Sequence, residues 1–138
     1  MKTEYPCTIE PQEPSGFFVQ FIDFEEAFTE GETLEEALFN ASEVLTGIID
    51  WRMDNKTDVP LPSPLQPGQY AVAPNASTQT ALLIRQCRKD RSLSDLARAL
   101  GTSWPAVQRL ENPHHSTNLK QLERAAAALG KRLVLEFV

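Results

Sequence analysis

Nowhere in the 138 residues is there an uninterrupted apolar run near the ~20 residues that a membrane-spanning helix requires, so no membrane partner is expected. A glycine-rich phosphate loop is also missing, as are Ser-His-Asp and Cys-His arrangements. Cysteine is scarce. Cys7 and Cys87 lie far apart and outside any metal-ligand spacing, which fits a reducing, cytoplasmic compartment with both thiols buried and no disulfide framework. The opening MKTEYPCTIE has acid and proline where a secretory leader carries a basic residue and then an apolar run, so export is not expected. His114 and His115 are adjacent, point apart and lack a third ligand, so they read as a loop pair and no metal site is expected. These absences favour a protein that binds over one that catalyses. No catalytic residue and no cofactor is expected.

What is present is an uneven distribution of charge. The net charge of −6 argues against a nucleic-acid partner only when summed over the whole chain. Residues 1–74 hold three Lys/Arg (Lys2, Arg52, Lys56) against fourteen Asp/Glu, a net −11, whereas residues 75–138 hold ten against five, a net +5. A sign change within so short a chain points to two small domains with different partners, the first suited to a basic surface and the second to a polyanion.

In the first domain Tyr5, Cys7 and Ile9 alternate with Pro6, Thr8 and Glu10, a turn-rich segment 11–16 follows, and 17–24 is a second strand. Both parities of that second strand are apolar, which predicts a position inside a covered sheet. A short strand over 27–29 follows. Thr33 and Glu36 form a capping box that opens a long helix ending near Asn55, with Leu34, Ala37, Leu38, Ala41, Leu45, Ile48 and Arg52 on one face. Four prolines over 59–68 interrupt helix, and 69–73 can add a last strand.

The second domain opens at Asn75, a plausible N-cap, with a first helix to Asp90. Ser92 and Asp95 start a second helix, Gly101 stops it and Ser103 caps a third; a fourth runs from Asn118, with Leu119, Leu122, Ala126 and Leu129 inward, to Gly130. In residues 131–138 Leu133, Leu135 and Phe137 alternate with Val134, Glu136 and Val138 as a final strand. Ala97, Gly101, Val107 and Leu110 have the spacing of a helix-turn-helix: a small residue at the crossing, a residue tolerant of positive φ in the turn, and two apolar anchors. That geometry presents Trp104, Ala106, Gln108 and Arg109 to a major groove, with Arg109 the candidate for bidentate guanine reading. Trp104 can equally fold back as core. Thr102, Ser103, Asn112, Asn118 and Lys120 are candidates for phosphate contacts. The expected class is α+β: a β-β-β-α-β domain over 1–74, then an all-α helix-turn-helix domain over 75–138 with a C-terminal strand.

The stretches GFFVQFIDF (16–24), AFTEGETLEEAL (27–38) running into Ala41, VPLPS (59–63), and SDLARALG (94–101) through Leu110-Glu111-Asn112 resemble, in this order, the HicB-type antitoxins of bacterial type II toxin-antitoxin systems whose DNA-binding half is a Cro/repressor-type helix-turn-helix. The resemblance implies a partial, inactive RNase H-like fold at the N-terminus that binds a HicA-type mRNA-cleaving ribonuclease and covers its catalytic histidine. It also implies a C-terminal half that binds operator double-stranded DNA of its own operon as a homodimer, in the cytoplasm and at the nucleoid when on the operator. Trp104, Pro105 and Ala106 depart from the Gln or Ser common in such recognition helices. The toxin-contact candidates Asp23, Glu25, Glu26 and Glu30 rest on position and charge alone. The rival readings are a ligand-sensing repressor with a small-molecule-binding N-terminal domain and a metal-dependent nuclease at Asp23, Glu25 and Glu26, for which nothing in the sequence completes a site.

Overall fold

Two hydrophobic clusters, one under a sheet and one among short helices, organise the chain; the computed structural model describes residues 2–138. The first strands, β1 (Tyr5–Pro11) and β2 (Phe17–Phe21), form a hairpin in which Cys7 faces Phe21 and Pro11 faces Phe17. Its turn closes by a 3.0 Å hydrogen bond from Gln12 N–H to Gly16 C=O. β3 (Phe28–Gly31) pairs with β2, and β4 (Tyr70–Val72) pairs with the other side of β1, giving the all-antiparallel order β3-β2-β1-β4.

Helix α1 (Leu34–Asp54) lies across one face of this sheet. Thr33 caps it, its Oγ1 accepting from Glu36 N–H at 3.1 Å, while the Glu36 carboxylate reaches one residue further back, to Glu32 N–H. The buried stripe is Ala37, Ala41, Leu45, Ile49 and Met53, so Ile49 and Met53 take places the sequence pattern gave to Ile48 and Arg52, and Leu34 stays partly exposed. Against the stripe pack Tyr5, Cys7, Val19, Phe21, Phe24 and Ala27. The approach is closest at Gly31, where an added Cβ would fall 2.5 Å from the backbone nitrogen of Ala37.

The expected covered position of the second strand is corrected here. β2 is interior in the strand order and stops at Phe21, but only its odd-numbered side chains are covered; Phe18 is 40% and Ile22 46% exposed. Apolar residues on both parities mark a strand that can be sandwiched, yet the one helix long enough to cover this sheet lies on a single face.

α2 (Ala76–Arg88), α3 (Leu93–Leu100), α4 (Trp104–Leu110) and α5 (Leu119–Ala128) follow, each entered through a side-chain cap, from Asn75, Ser92, Ser103 and Asn118. Their core joins Ile84, Leu96, Ala97, Val107, Leu122, Ala125 and Leu129. Leu119 and Ala126, expected inward, give way to Ala125, because the buried line follows 122, 125 and 129 along α5. The first half of α2 belongs elsewhere: Ala81 and Leu82 pack into the sheet's core.

Two further expectations change. Residues 131–138 form no strand. Alternation prepares a segment for pairing, but a strand needs a neighbour's backbone, and among the described residues none reaches it; Leu133 rests partly on the helical core while Phe137 and Val138 are fully exposed. Cys87 is half-buried, at the margin of the helical cluster, whereas Cys7 is buried. No helix among the described residues is long and apolar enough to cross a membrane.

Candidate functional site

The acidic candidates at the end of β2 do not form one cluster. Asp23 is a fastener: its carboxylate accepts from both the backbone N–H (2.9 Å) and the hydroxyl of Ser63, pinning the proline-rich connection to the sheet. Tyr5 reinforces that seam by donating to Pro60 C=O at 2.8 Å, and burial, helped by the Asp23 charge, pushes its hydroxyl up to about 12. Glu26 is engaged too, pairing at 2.7 Å with Arg52, whose guanidinium lies 5.0 Å from the centre of the Phe24 ring and also donates to Asp58 C=O. The Arg52 hydrogen bond holds the Glu26 carboxyl below its ordinary value. Glu25 and Glu30 remain exposed; the Glu30 carboxylate accepts from the neutral Gln12 amide at 2.8 Å, and its backbone carbonyl accepts from the Asn40 amide at 2.8 Å. Between the two strands the Gln20 amide nitrogen sits 3.1–3.3 Å from the carbonyl oxygens of Phe21, Phe24, Glu25 and Ala27, which sets the bend after β2.

The candidates of the basic half lie on α4, on the turns that flank it and at the start of α5. Gly101 ends α3 with φ +64, the left-handed conformation the turn requires, and Ser103 Oγ accepts from Ala106 N–H at 3.3 Å to start α4. Val107 is buried and Leu110 half-buried, so the opposite side of α4, with Gln108 and Arg109, faces outward. Trp104, the ambiguous residue, is 44% exposed and so not core. Thr102, Ser103, Asn112, Asn118 and Lys120 are exposed and Ala106 is half-buried. Besides Ser103, two of these side chains already hold backbone: Asn112 Oδ1 accepts from His114 N–H at 2.9 Å, and Asn118 Oδ1 accepts from Gln121 N–H at 2.8 Å. Their remaining polar atoms are what a phosphate can meet.

Sequence reasoning missed the part played by Glu111. It is 6% exposed and gathers two cations from α2: Arg88, with Nη2 donating to it at 2.9 Å, and Arg85, with Nε donating to its backbone carbonyl at 3.2 Å. The Glu111 hydrogen bond raises the pKa of Arg88, whereas burial lowers that of Arg85. The only signal was an acid at the end of α4 in a basic region.

His114 was read as a loop residue. Its Nε2 lies 2.8 Å from the Asp54 carboxylate at the end of α1, linking the helical region to the sheet region. A cleft of about 1170 Å³ opens beside this contact, lined by Met53, Asp58 and Leu61 on one side and Arg85, Gln108 and Arg109 on the other. Among the described residues no group of three His, Cys, Asp or Glu side chains could hold a metal ion.

Residues 4–80 match the family model described as the HicB-like antitoxin of bacterial toxin-antitoxin systems. The chain is 34% identical over 136 residues to Antitoxin HicB of Escherichia coli (strain K12), covering 97% of this chain and 99% of that one. It is 35% identical over 133 residues to Antitoxin HicB 1 of Photorhabdus laumondii, covering 95% and 84%. A solved toxin-antitoxin complex from Streptococcus pneumoniae aligns with a TM-score of 0.49 and 18% identity, over 76% of this chain and 92% of that one.

Proposed function

The chain belongs to the HicB-like antitoxin family of bacterial toxin-antitoxin systems, and on that footing we propose that it neutralises a HicA-type mRNA-cleaving ribonuclease with residues 1–74 and represses its own operon with residues 75–138. The acidic first domain, in this reading a partial and inactive RNase H-like fold, is drawn to a basic nuclease by long-range attraction and excludes RNA by occupying its active site. The second domain is a helix-turn-helix in which α4 lies in the major groove. Two copies, joined through the unpaired segment 131–138, then meet half-sites about one helical turn apart.

The observation that carries this reading is the outer side of α4: Trp104, Gln108 and Arg109 stand exposed on a region of net charge +5, behind a turn whose Gly101 has positive φ. Its test is a gel shift of full-length protein on the DNA upstream of its own operon. Arg109→Ala is expected to lose about tenfold or more in preference for that sequence over random DNA, since a bidentate guanine contact discriminates by ~1–3 kcal/mol. The same variant is expected still to rescue cells expressing the cognate ribonuclease. A parent chain that neither shifts its upstream DNA nor relieves the ribonuclease overturns the reading.

The cleft of about 1170 Å³ beside Arg109 favours a second reading, a repressor whose DNA affinity responds to a small molecule held between the sheet and the helices. Operator binding that depends on an added metabolite extract, with no ribonuclease partner, is the outcome that selects it.

A further inference from the structure

The uncovered face of the sheet carries a pattern whose chemistry points to its occupant. Strand register places Glu10, Phe18 and Glu30 side by side on β1, β2 and β3, so an aromatic ring stands between two carboxylates. The next row on the same face is Thr8, Gln20 and Phe28. Phe18 and Phe28 meet diagonally, with ring centres 6.2 Å apart, and Phe28 is 54% exposed at the sheet edge. Ile22, of the same parity as Phe18, extends the apolar strip past the end of β2. Directly opposed side chains on an antiparallel pair have Cβ atoms about 4.5–5.5 Å apart, so the two glutamates and the ring form one contiguous surface on rigid backbone.

Among the described residues no cation answers these glutamates. The sequence contains no Lys or Arg between Lys2 and Arg52, a span that includes β1, β2, β3 and most of α1. Arg52 is engaged by Glu26, and among the described residues none of the salt bridges involves Glu10 or Glu30. A ring flanked by carboxylates suits an arginine or lysine, which can lie over the aromatic face while its charged head pairs with a carboxylate. A nucleic acid would be repelled by this face, and a second copy laid on it about a two-fold axis would set glutamate against glutamate.

We infer that this open face, with Phe18 and Phe28 as its anchor and Glu10 and Glu30 as its charged rim, is where the cationic toxin docks. The inference rests on the antitoxin reading above and locates its contact surface. It moves that contact away from Asp23 and Glu26, whose carboxylates are occupied by Ser63 and Arg52, and keeps Glu30 from the original candidates. The outer side of α1 offers a poorer version of the same chemistry. There Phe39, 65% exposed, stands between Glu35 and Glu43 at helical spacing, a single ring without a neighbouring aromatic.

The test measures the affinity of the full-length chain for the HicA-type ribonuclease encoded beside it, purified with its catalytic histidine replaced, at low and physiological salt. Phe18→Ser combined with Phe28→Ser is expected to weaken binding about tenfold or more. Glu10→Lys with Glu30→Lys is expected to weaken it about a hundredfold at low salt and less at higher salt. Phe39→Ser is expected to bind as the parent does. Because all these side chains are exposed, circular dichroism of each variant should match the parent; the charge-reversal pair stands if the aromatic pair alone misfolds. A parent that does not bind the ribonuclease overturns the antitoxin reading together with the inference. A parent that binds, with both sheet variants binding equally well, overturns the inference alone. So does loss of binding confined to Phe39→Ser, or a change in oligomeric state in place of toxin affinity.

Discussion

The two halves of this chain treat charge in opposite ways. Around the sheet, acids outnumber bases fourteen to three, and among the described residues most of the carboxylates stand at the surface outside any ion pair. The apolar stripe of α1 and the close approach at Gly31 form the core of that half, with the Glu26–Arg52 pair and the Asp23–Ser63 hydrogen bonds fastening its edge. Among the short helices the majority charge is positive, and a single buried acid, Glu111, draws Arg85 and Arg88 inward to join α2 to the end of α4. Most of the charge in the first half is therefore available to a partner, while in the second half part of it is drawn into the core.

Removing Glu111 should give the largest departure from that contrast. Glu111→Ala leaves Arg88 and the partly buried Arg85 without their carboxylate, a loss on the order of 3 kcal/mol for a buried pair, with some recovery because the Arg88 side chain is 23% and the Arg85 side chain 36% exposed and both can rehydrate. Denaturant unfolding followed by amide exchange should place the loss in α2 and α4; an unchanged midpoint would show that the pair contributes nothing. Gly31→Ala probes the other half. The added methyl meets the backbone of α1, so about 1–3 kcal/mol of destabilisation is expected, concentrated in β3 and α1. Crystallographic accommodation of that methyl without loss of stability would refute the close-packing account.

The smallest expected effect lies at the boundary. The hydrogen bond to Asp54, and then its charge, raise the pKa of His114 above 6.5. A group whose folded pKa is raised adds stability that is complete below the unfolded value and fades as pH climbs through the folded one. The contact between the two halves should therefore be intact below about pH 6.5 and weaken at higher pH. An NMR titration of the His114 ring should give a midpoint above 6.5 in the parent and one close to 6.5 in Asp54→Asn; identical midpoints would sink the idea.

How much of this was legible beforehand depended on the reach of each interaction. Thr33, Asn75, Ser92, Ser103 and Asn118 were all readable as helix starts, because each side chain bonds a backbone N–H three residues on. The turn at Gly101 was readable for the same local reason. Asp23 was not, since its partner Ser63 lies 40 residues away, and neither was the link from Asp54 to His114. The open sheet face escaped because parity shows which residues share a side, and only the tertiary arrangement shows whether anything covers it. The final segment failed by the same logic: alternation cannot supply a neighbour.

Helix α2 has a bearing on how the protein can be dissected. Its Ala81 and Leu82 are sealed beneath the sheet, and Ile84, less than a turn later, is sealed among the other helices. Scissors placed before this helix rob the front fragment of two interior plugs, and scissors placed after it rob the rear fragment of one. The two pieces share a spindle, and fragments meant to work separately should each be made to carry it.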